Sequence, residues 1–225
     1  MPQVILIVPR SDERHEAFMV AARRLGDLIG ACHLVEFVLP AAHASEHGHA
    51  NIATEMEARG CRADFIVAAQ PALDDDKAAR HAFRAALFKT ERPLLMLPSS
   101  QPAGMFGRNV AIAWRDDPRT LKAVVPAMRL LSEATEVHLL AGARAGSPTP
   151  TIPPVLVEHN VPAMLHVLAI GSGPFGELLL SRARELGADL LIMGAQGHTR
   201  LREMLLGGVT SYVVAHAELP VLMRH

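Results

Sequence analysis

The chain has 225 residues, 22 Lys and Arg against 23 Asp and Glu, a net charge of −1, and half of its residues are hydrophobic. That length suits one large domain or two small ones with a sizeable core, and the even charge balance offers neither a nucleic-acid groove nor a patch for an anionic membrane surface. No window approaches the roughly 18 uninterrupted apolar residues of a membrane-spanning helix. The two cysteines, Cys32 and Cys61, have no metal-ligand spacing. They read as free thiols in a reducing compartment, although sequence alone leaves a disulfide between them open. The expected location is the cytoplasm.

Residues 3–8 (QVILIV) form a β-branched apolar run ended by Pro9. This is the pattern of a strand buried on both faces, and with no basic stretch before it the run does not read as a signal peptide. Residues 12–29 carry apolar side chains at helical spacing and stop at Gly30. A strand is expected at 33–39, a His- and Ala-rich loop at 41–50, a short helix at 51–59 closed by Gly60, and a buried strand at 63–69. Pro71 to Asp76 reads as a capping turn before a helix over 76–90, and a strand follows at 94–98. Residues 99–107 have linker composition. Beyond them come a strand at 110–114, a helix from Pro118 to about Ser132, a strand at 136–141 and a loop at 142–151. A short helix near 153–160, a strand at 163–170, a helix at 174–186, a strand at 188–194, a helix within 199–217 and a strand at 220–224 complete the chain.

Strands alternating with helices imply βαβ units and a parallel sheet covered on both faces. The chain also repeats itself. Ala63-Asp64-Phe65-Ile66-Val67 matches Ala188-Asp189-Leu190-Leu191-Ile192, and Pro93-Leu94-Leu95-Met96 matches Pro220-Val221-Leu222-Met223, in the same order. Two tandem α/β halves follow, residues 1–100 and 107–225, the first shorter by one strand and its crossover somewhere in the 40–62 region.

The segment richest in chemistry is Met193-Gly194-Ala195-Gln196-Gly197-His198-Thr199, followed by Gly207-Gly208-Val209-Thr210. Glycines beyond a strand end let a ligand approach the backbone. Free N–H groups there and at a following helix start suit phosphate, and ligands of open parallel sheets bind beyond the carboxyl ends of the strands. The same glycines also suit an ordinary tight strand-to-helix turn, and spacing alone leaves both readings open.

Gly194-x2-Gly197-x9-Gly207 with Val209-Thr210, then Pro220-Val221-Leu222, resembles the C-terminal signature of the universal stress protein family over about residues 108–225, and more weakly over 1–98. The resemblance implies doubly wound, adenine nucleotide alpha hydrolase-like sheets, of strand order 3-2-1-4-5 in the second half and 2-1-4-5 in the first, which lacks an edge strand. It implies ATP or AMP, with Mg²⁺ where the phosphates require it, held by Gly194, Gly197, Gly207, Val209 and Thr210, with Met193 on the adenine side; Gly208 belongs to the same turn, and His198 beside Gly197 fits a phosphate contact or a solvent-facing loop. Two positions depart from the pattern: Gly208 stands where nucleotide-binding members carry Ser or Thr, and Arg115 where they carry Asp. Asp116 and Asp117 follow directly and offer a substitute carboxylate, whereas Arg115 offers a phosphate contact. The resemblance also implies that the last strands, Leu94–Leu97 and Val221–Arg224, pair as an intramolecular pseudo-dimer, with a further homodimer open.

The first half has Ala69-Gln70-Pro71 in the corresponding place and an Asp74-Asp75-Asp76 run, and is expected to bind no nucleotide. His43, His47 and His49 lie in a loop and have no partner motif for a metal. Arg200 and Arg202 fit a phosphate rim or a solvated face, and Trp114 at a strand end fits packing. There is no GxSxG elbow around Ser11, Ser172 or Ser211 and no GxxxxGK[ST] loop. With no positioned general base or carboxylate pair, turnover is not expected. The alternatives are a nucleotide-free interaction module of the same fold, or an enzyme of a related adenine-nucleotide hydrolase-like or electron-transfer-flavoprotein-like fold.

Overall fold

The computed structural model describes residues 3–8, 15–30, 32–37, 46–71, 77–98, 105–195, 197–198, 205–206 and 208–225. In chain order the elements are β1 (Gln3–Val8), α1 (His15–Ile29), β2 (Cys32–Glu36), α2 (Glu46–Gly60), β3 (Phe65–Ala69), α3 (Lys77–Lys89) and β4 (Leu94–Leu97). Then come β5 (Asn109–Trp114), α4 (Pro118–Val124), α5 (Met128–Glu133), β6 (Glu136–Ala143), α6 (Pro154–Glu158), β7 (Met164–Ala169), α7 (Phe175–Glu185) and β8 (Leu190–Gly194). The last are β9 (Gly197–His198), β10 (Leu205–Leu206), α8 (Gly208–His216) and β11 (Val221–Arg224).

Nine strands form one sheet in the order β2-β1-β3-β4-β11-β8-β5-β6-β7. Read from each outer edge inward to the centre, the second half has the expected order 3-2-1-4-5 and the first half the expected 2-1-4-5. Every neighbouring pair is parallel except β4 with β11, which run antiparallel and set Met96 opposite Val221 and Met223 opposite Leu94. The repeated sequences make equivalent backbone bonds. Asp64 N donates to Val4 O and Asp189 N to Asn109 O; Ile66 N donates to Pro93 O and Leu191 N to Pro220 O; Gln70 N donates to Leu97 O and Ala195 N to Arg224 O.

The central strands are apolar throughout because both faces are covered. One face packs Leu6, Ile66, Leu94, Leu191 and Val221 with Met56, Phe83, Leu179 and Val213 of α2, α3, α7 and α8. The other packs Ile5, Val67, Leu95, Ile112 and Leu222 with Leu25, Val124, Leu130 and Leu156 of α1, α4, α5 and α6. Each core runs unbroken across the β4–β11 seam. No described helix is long and apolar enough to cross a membrane.

Several local expectations are corrected. The segment read as loop at 41–50 is helical from Glu46, so the helix expected at 51–59 spans Glu46–Gly60; its polar first turn carries no apolar periodicity to read. The helix expected over 118–132 is interrupted by a 3-10 turn at Val125–Ala127, because Pro126 has no N–H to continue an α-helical ladder. The helix expected within 199–217 is found there, at Gly208–His216. Ahead of it, Leu205–Leu206 pairs antiparallel with Gly197–His198. Adjacent glycines in a helix interior cost about 1 kcal/mol each relative to Ala, and the helix begins at the second of the pair. The strand expected at 33–39 ends at Glu36, and helix α1 is described from His15. His47 and His49 fall on α2 rather than a loop. His43, Asp74 to Asp76, Gln196, Thr199 to Arg202 and Gly207 lie outside the described residues, as do the side chains of His47, His49 and His198. Cys61 is an exposed free thiol.

Beneath α7, at the amino end of β6 and β7, a polar chain crosses the sheet. Arg182 Nη2 lies 3.2 Å from His166 Nδ1, and His166 Nε2 lies 3.2 Å from His138 Nδ1. His138 Nε2 lies 3.3 Å from Glu136 Oε2 without hydrogen-bond alignment. Because a guanidinium only donates, His166 accepts at Nδ1 and donates from Nε2 to His138. Burial, then the Arg182 charge, then His138 hold the His166 imidazole below its ordinary pKa. Protonation is therefore easier in the unfolded chain, and the contribution to stability is full above about pH 6.5 and is lost as pH falls through the lowered folded value. His225, lowered by burial and by Arg119 and Lys122 against an opposing Glu91, acts in the same sense. Urea midpoints are expected to fall between pH 7.5 and pH 5.0, and to fall less in His166→Gln. An equal fall in the variant would place the sensitivity elsewhere.

Candidate functional site

At the carboxyl ends of β5, β6 and β8 the chain leaves a cleft of about 850 Å³. That volume lies within the range of small-molecule sites, roughly 300–1,000 Å³. One wall is the end of β5 and the turn after it, Trp114 to Asp117. The opposite wall is the end of β6, Leu140 to Gly142, with the proline-rich segment between Arg144 and Pro154. Phe175 and Leu179 of α7, with Met193 and Gly194 of β8, line the interior, and Val209 enters from the first turn of α8.

Each part has a local cause. Asp117 caps α4: its backbone is extended, its Oδ1 accepts from Thr120 N at 2.9 Å and from Thr120 Oγ1 at 3.2 Å, and Pro118 opens the helix. Arg115 Nε lies 3.6 Å from Asp117 Oδ2, and the Arg115 side chain is 70 % exposed while that of Asp117 is 17 % exposed. The capping carboxylate is thus engaged by both Thr120 and Arg115, and Asp116, exposed at the cleft wall, is the carboxylate facing solvent there. Gly194 is required by packing: a Cβ would stand 2.9 Å from Arg119 C and 2.9 Å from Thr120 N, both backbone atoms of α4. Ser147 Oγ donates to Arg144 O at 2.7 Å and accepts from Arg144 N at 3.1 Å, folding the cleft segment back on itself.

Of the residues singled out in the sequence, the structure gathers Met193, Gly194, Val209, Arg115 and Asp116 around one cleft. Thr210 is buried at 1 % exposure and does not line it. Gly208 is exposed, and among the described residues a Cβ there would meet nothing within 4 Å. Gly197 is placed by its backbone in β9, and Trp114 is half-buried and lines the cleft. The β6 wall and the proline-rich segment were missed. Their signal was Gly142 at the end of a buried strand, where a Cβ would lie 2.8 Å from Phe175 Cζ. Among the described residues no three His, Cys, Asp or Glu side chains converge as metal ligands.

The universal stress protein family model matches residues 116–225. The universal stress protein MJ0577 of Methanocaldococcus jannaschii is 43 % identical over 47 residues, 21 % of this chain, and the chain covers 29 % of that relative's length. Among solved structures, a universal stress protein from Archaeoglobus fulgidus superposes with a TM-score of 0.70 at 14 % identity, over 98 % of this chain and 97 % of that one. Protein PA1789 of Pseudomonas aeruginosa superposes with a TM-score of 0.55 at 16 % identity, over 98 % of this chain and 81 % of that one. At these identities the structures speak for the fold alone. Residues 116–225 match the universal stress protein family model, and the strand order and the superposed structures agree with that fold.

Proposed function

We propose that the second half binds an adenine nucleotide in this cleft, and that the protein is a stress-response ligand-binding protein that does not turn its ligand over. The observation carrying this reading is the cleft itself. It lies at the carboxyl ends of parallel strands, where open α/β sheets bind ligands, and it brings Met193, Gly194 and Val209 together from separate elements. The apolar walls would take the base, and the start of α8 would favour phosphate through its free N–H groups and dipole. Arg115 at the cleft rim would add positive charge to the same end.

A second reading, a nucleotide-free interaction module, is favoured by the missing hydroxyl at Gly208 and by Arg115 and Asp117 being paired to each other. One experiment separates the two: melting temperature against ATP, ADP and AMP, with and without Mg²⁺, for the wild type and Gly208→Ser. Ligand at about 100 times its Kd should stabilise by about 2.7 kcal/mol. No described atom lies within 4 Å of the Gly208 Cβ position, which favours room for the serine. Its hydroxyl should tighten binding by roughly three- to tenfold, the weight of one net hydrogen bond. No shift in either protein would reject the nucleotide reading; a shift in Gly208→Ser alone would mean that the glycine has disabled the wild-type site.

A further inference from the structure

The backbone equivalence between the halves is broken by one side chain beside the seam. Gln70 occupies the place that Ala195 holds in the second half: Gln70 N donates to Leu97 O as Ala195 N donates to Arg224 O, both at 2.8 Å. Ala195 is fully buried and short. The Gln70 side chain reaches across the seam instead, and its Nε2 donates to Val214 O at 2.9 Å and to Ala217 O at 3.2 Å. Val214 O lies in the last turn of α8, where a helix has no partners of its own, and Ala217 O lies just beyond it. Gln70 is 8 % exposed, so water is a poor substitute donor. The first half needs no such help: Thr90, just beyond α3, bonds back to Ala86 O at 2.6 Å through its own hydroxyl.

We infer that Gln70 is a positioning residue for the cleft of the second half, acting through α8. This rests on the nucleotide reading of that cleft. The helix has 9 residues and is about 13 Å long. Its first turn supplies Val209 to the cleft, and its last turn is held by Gln70. Along its side it is fitted closely to α7: a Cβ on Gly176 would stand 2.8 Å from Tyr212 Cβ. The neighbouring Phe175 and Leu179 of α7 line the same cleft. A short helix wedged in this way moves as a body, so releasing one end shifts the other. The half whose own glycine loop is absent thereby sets the geometry of the half that keeps it.

The test uses the full-length protein and ATP. Gln70→Leu keeps the size and removes both donors. ATP affinity is expected to weaken by roughly two- to thirtyfold, the span of positional coupling in packed proteins. Amide exchange should quicken along the whole of α8, including Ser211 and Tyr212 in its first half. Gln70→Glu should match the Leu variant at pH 8, where a carboxylate faces two carbonyls and donates nothing. It should recover toward wild type at pH 5, where a protonated carboxyl donates one bond. Unchanged affinity with a lowered melting temperature, or faster exchange confined to residues 214–217, would overturn the assignment. A wild type that binds no nucleotide rejects the nucleotide reading instead, and the exchange profile along α8 then decides the role of Gln70 on its own.

Discussion

Gly194→Val is expected to lower the melting temperature by about 6–12 °C and, on the nucleotide reading of the cleft, to abolish ATP binding. The first atom of any side chain at this position meets Arg119 C and Thr120 N at 2.9 Å. These are backbone atoms of the first turn of α4, so no rotamer change relieves the clash. That turn is tied on its other side by the Asp117 cap, with Thr120 only 3 % exposed. The helix must therefore move off the sheet. Overpacking of this kind costs about 3 kcal/mol at the upper end of its usual range, and for a chain of this size each kcal/mol is worth about 2–4 °C. Displacing α4 also moves Arg115 to Asp117, one wall of the cleft. Thermal melts of Gly194→Ala and Gly194→Val with and without ATP give the check. The alanine should lie between wild type and valine. A valine variant that melts like wild type would show that the start of α4 yields freely, and that Gly194 serves a ligand rather than packing.

The alternation of strand and helix was legible because every central strand is buried on both faces and must be apolar along its length. The strand order came with the family resemblance rather than from any periodicity. What escaped were elements without a periodic signal. The first turn of α2 is polar, the paired Gly197–His198 and Leu205–Leu206 are two residues each, and the 3-10 break at Pro126 interrupts an otherwise continuous helical pattern. At the site, Met193, Gly194, Arg115 and Asp116 could be placed because strand ends are easy to locate. Gly142 and the proline-rich wall could not, because they reach the cleft only through the adjacency of β6 to β5. Gln70 was legible only as a departure from the repeat; its reach to α8 depends on the antiparallel β4–β11 seam, a contact between residues more than a hundred positions apart.

The repeated Ala-Asp dipeptide has a physical explanation, and it supports a second large effect. Asp189 accepts from Gly107 N at 2.7 Å, from Arg108 N at 3.1 Å and from Asn109 N at 3.2 Å, so one carboxylate gathers three successive N–H groups at the entry to β5. Gly107 makes this possible: its φ of +88° turns consecutive amides to the same side, forming an anion-binding nest. The turn is also part of the seam, because Phe106 is buried and its carbonyl accepts from Arg24 Nε of α1 at 3.1 Å. Among the described residues, the corresponding Asp64 accepts from Val4 N alone, at 2.8 Å in an exposed setting. Bonds to a charged group are worth about 1.5–3 kcal/mol each in isolation and less when they share one acceptor. Asp189→Ala is therefore expected to cost about 3 kcal/mol and Asp64→Ala about 1 kcal/mol, read as shifts in urea midpoint at unchanged slope. Asp189→Asn, which keeps one acceptor oxygen, should fall between wild type and alanine. Equal losses at the two sites would mean that the nest at Gly107 adds nothing beyond a single bond, and that the stability of the seam resides in the apolar cores on either side of it.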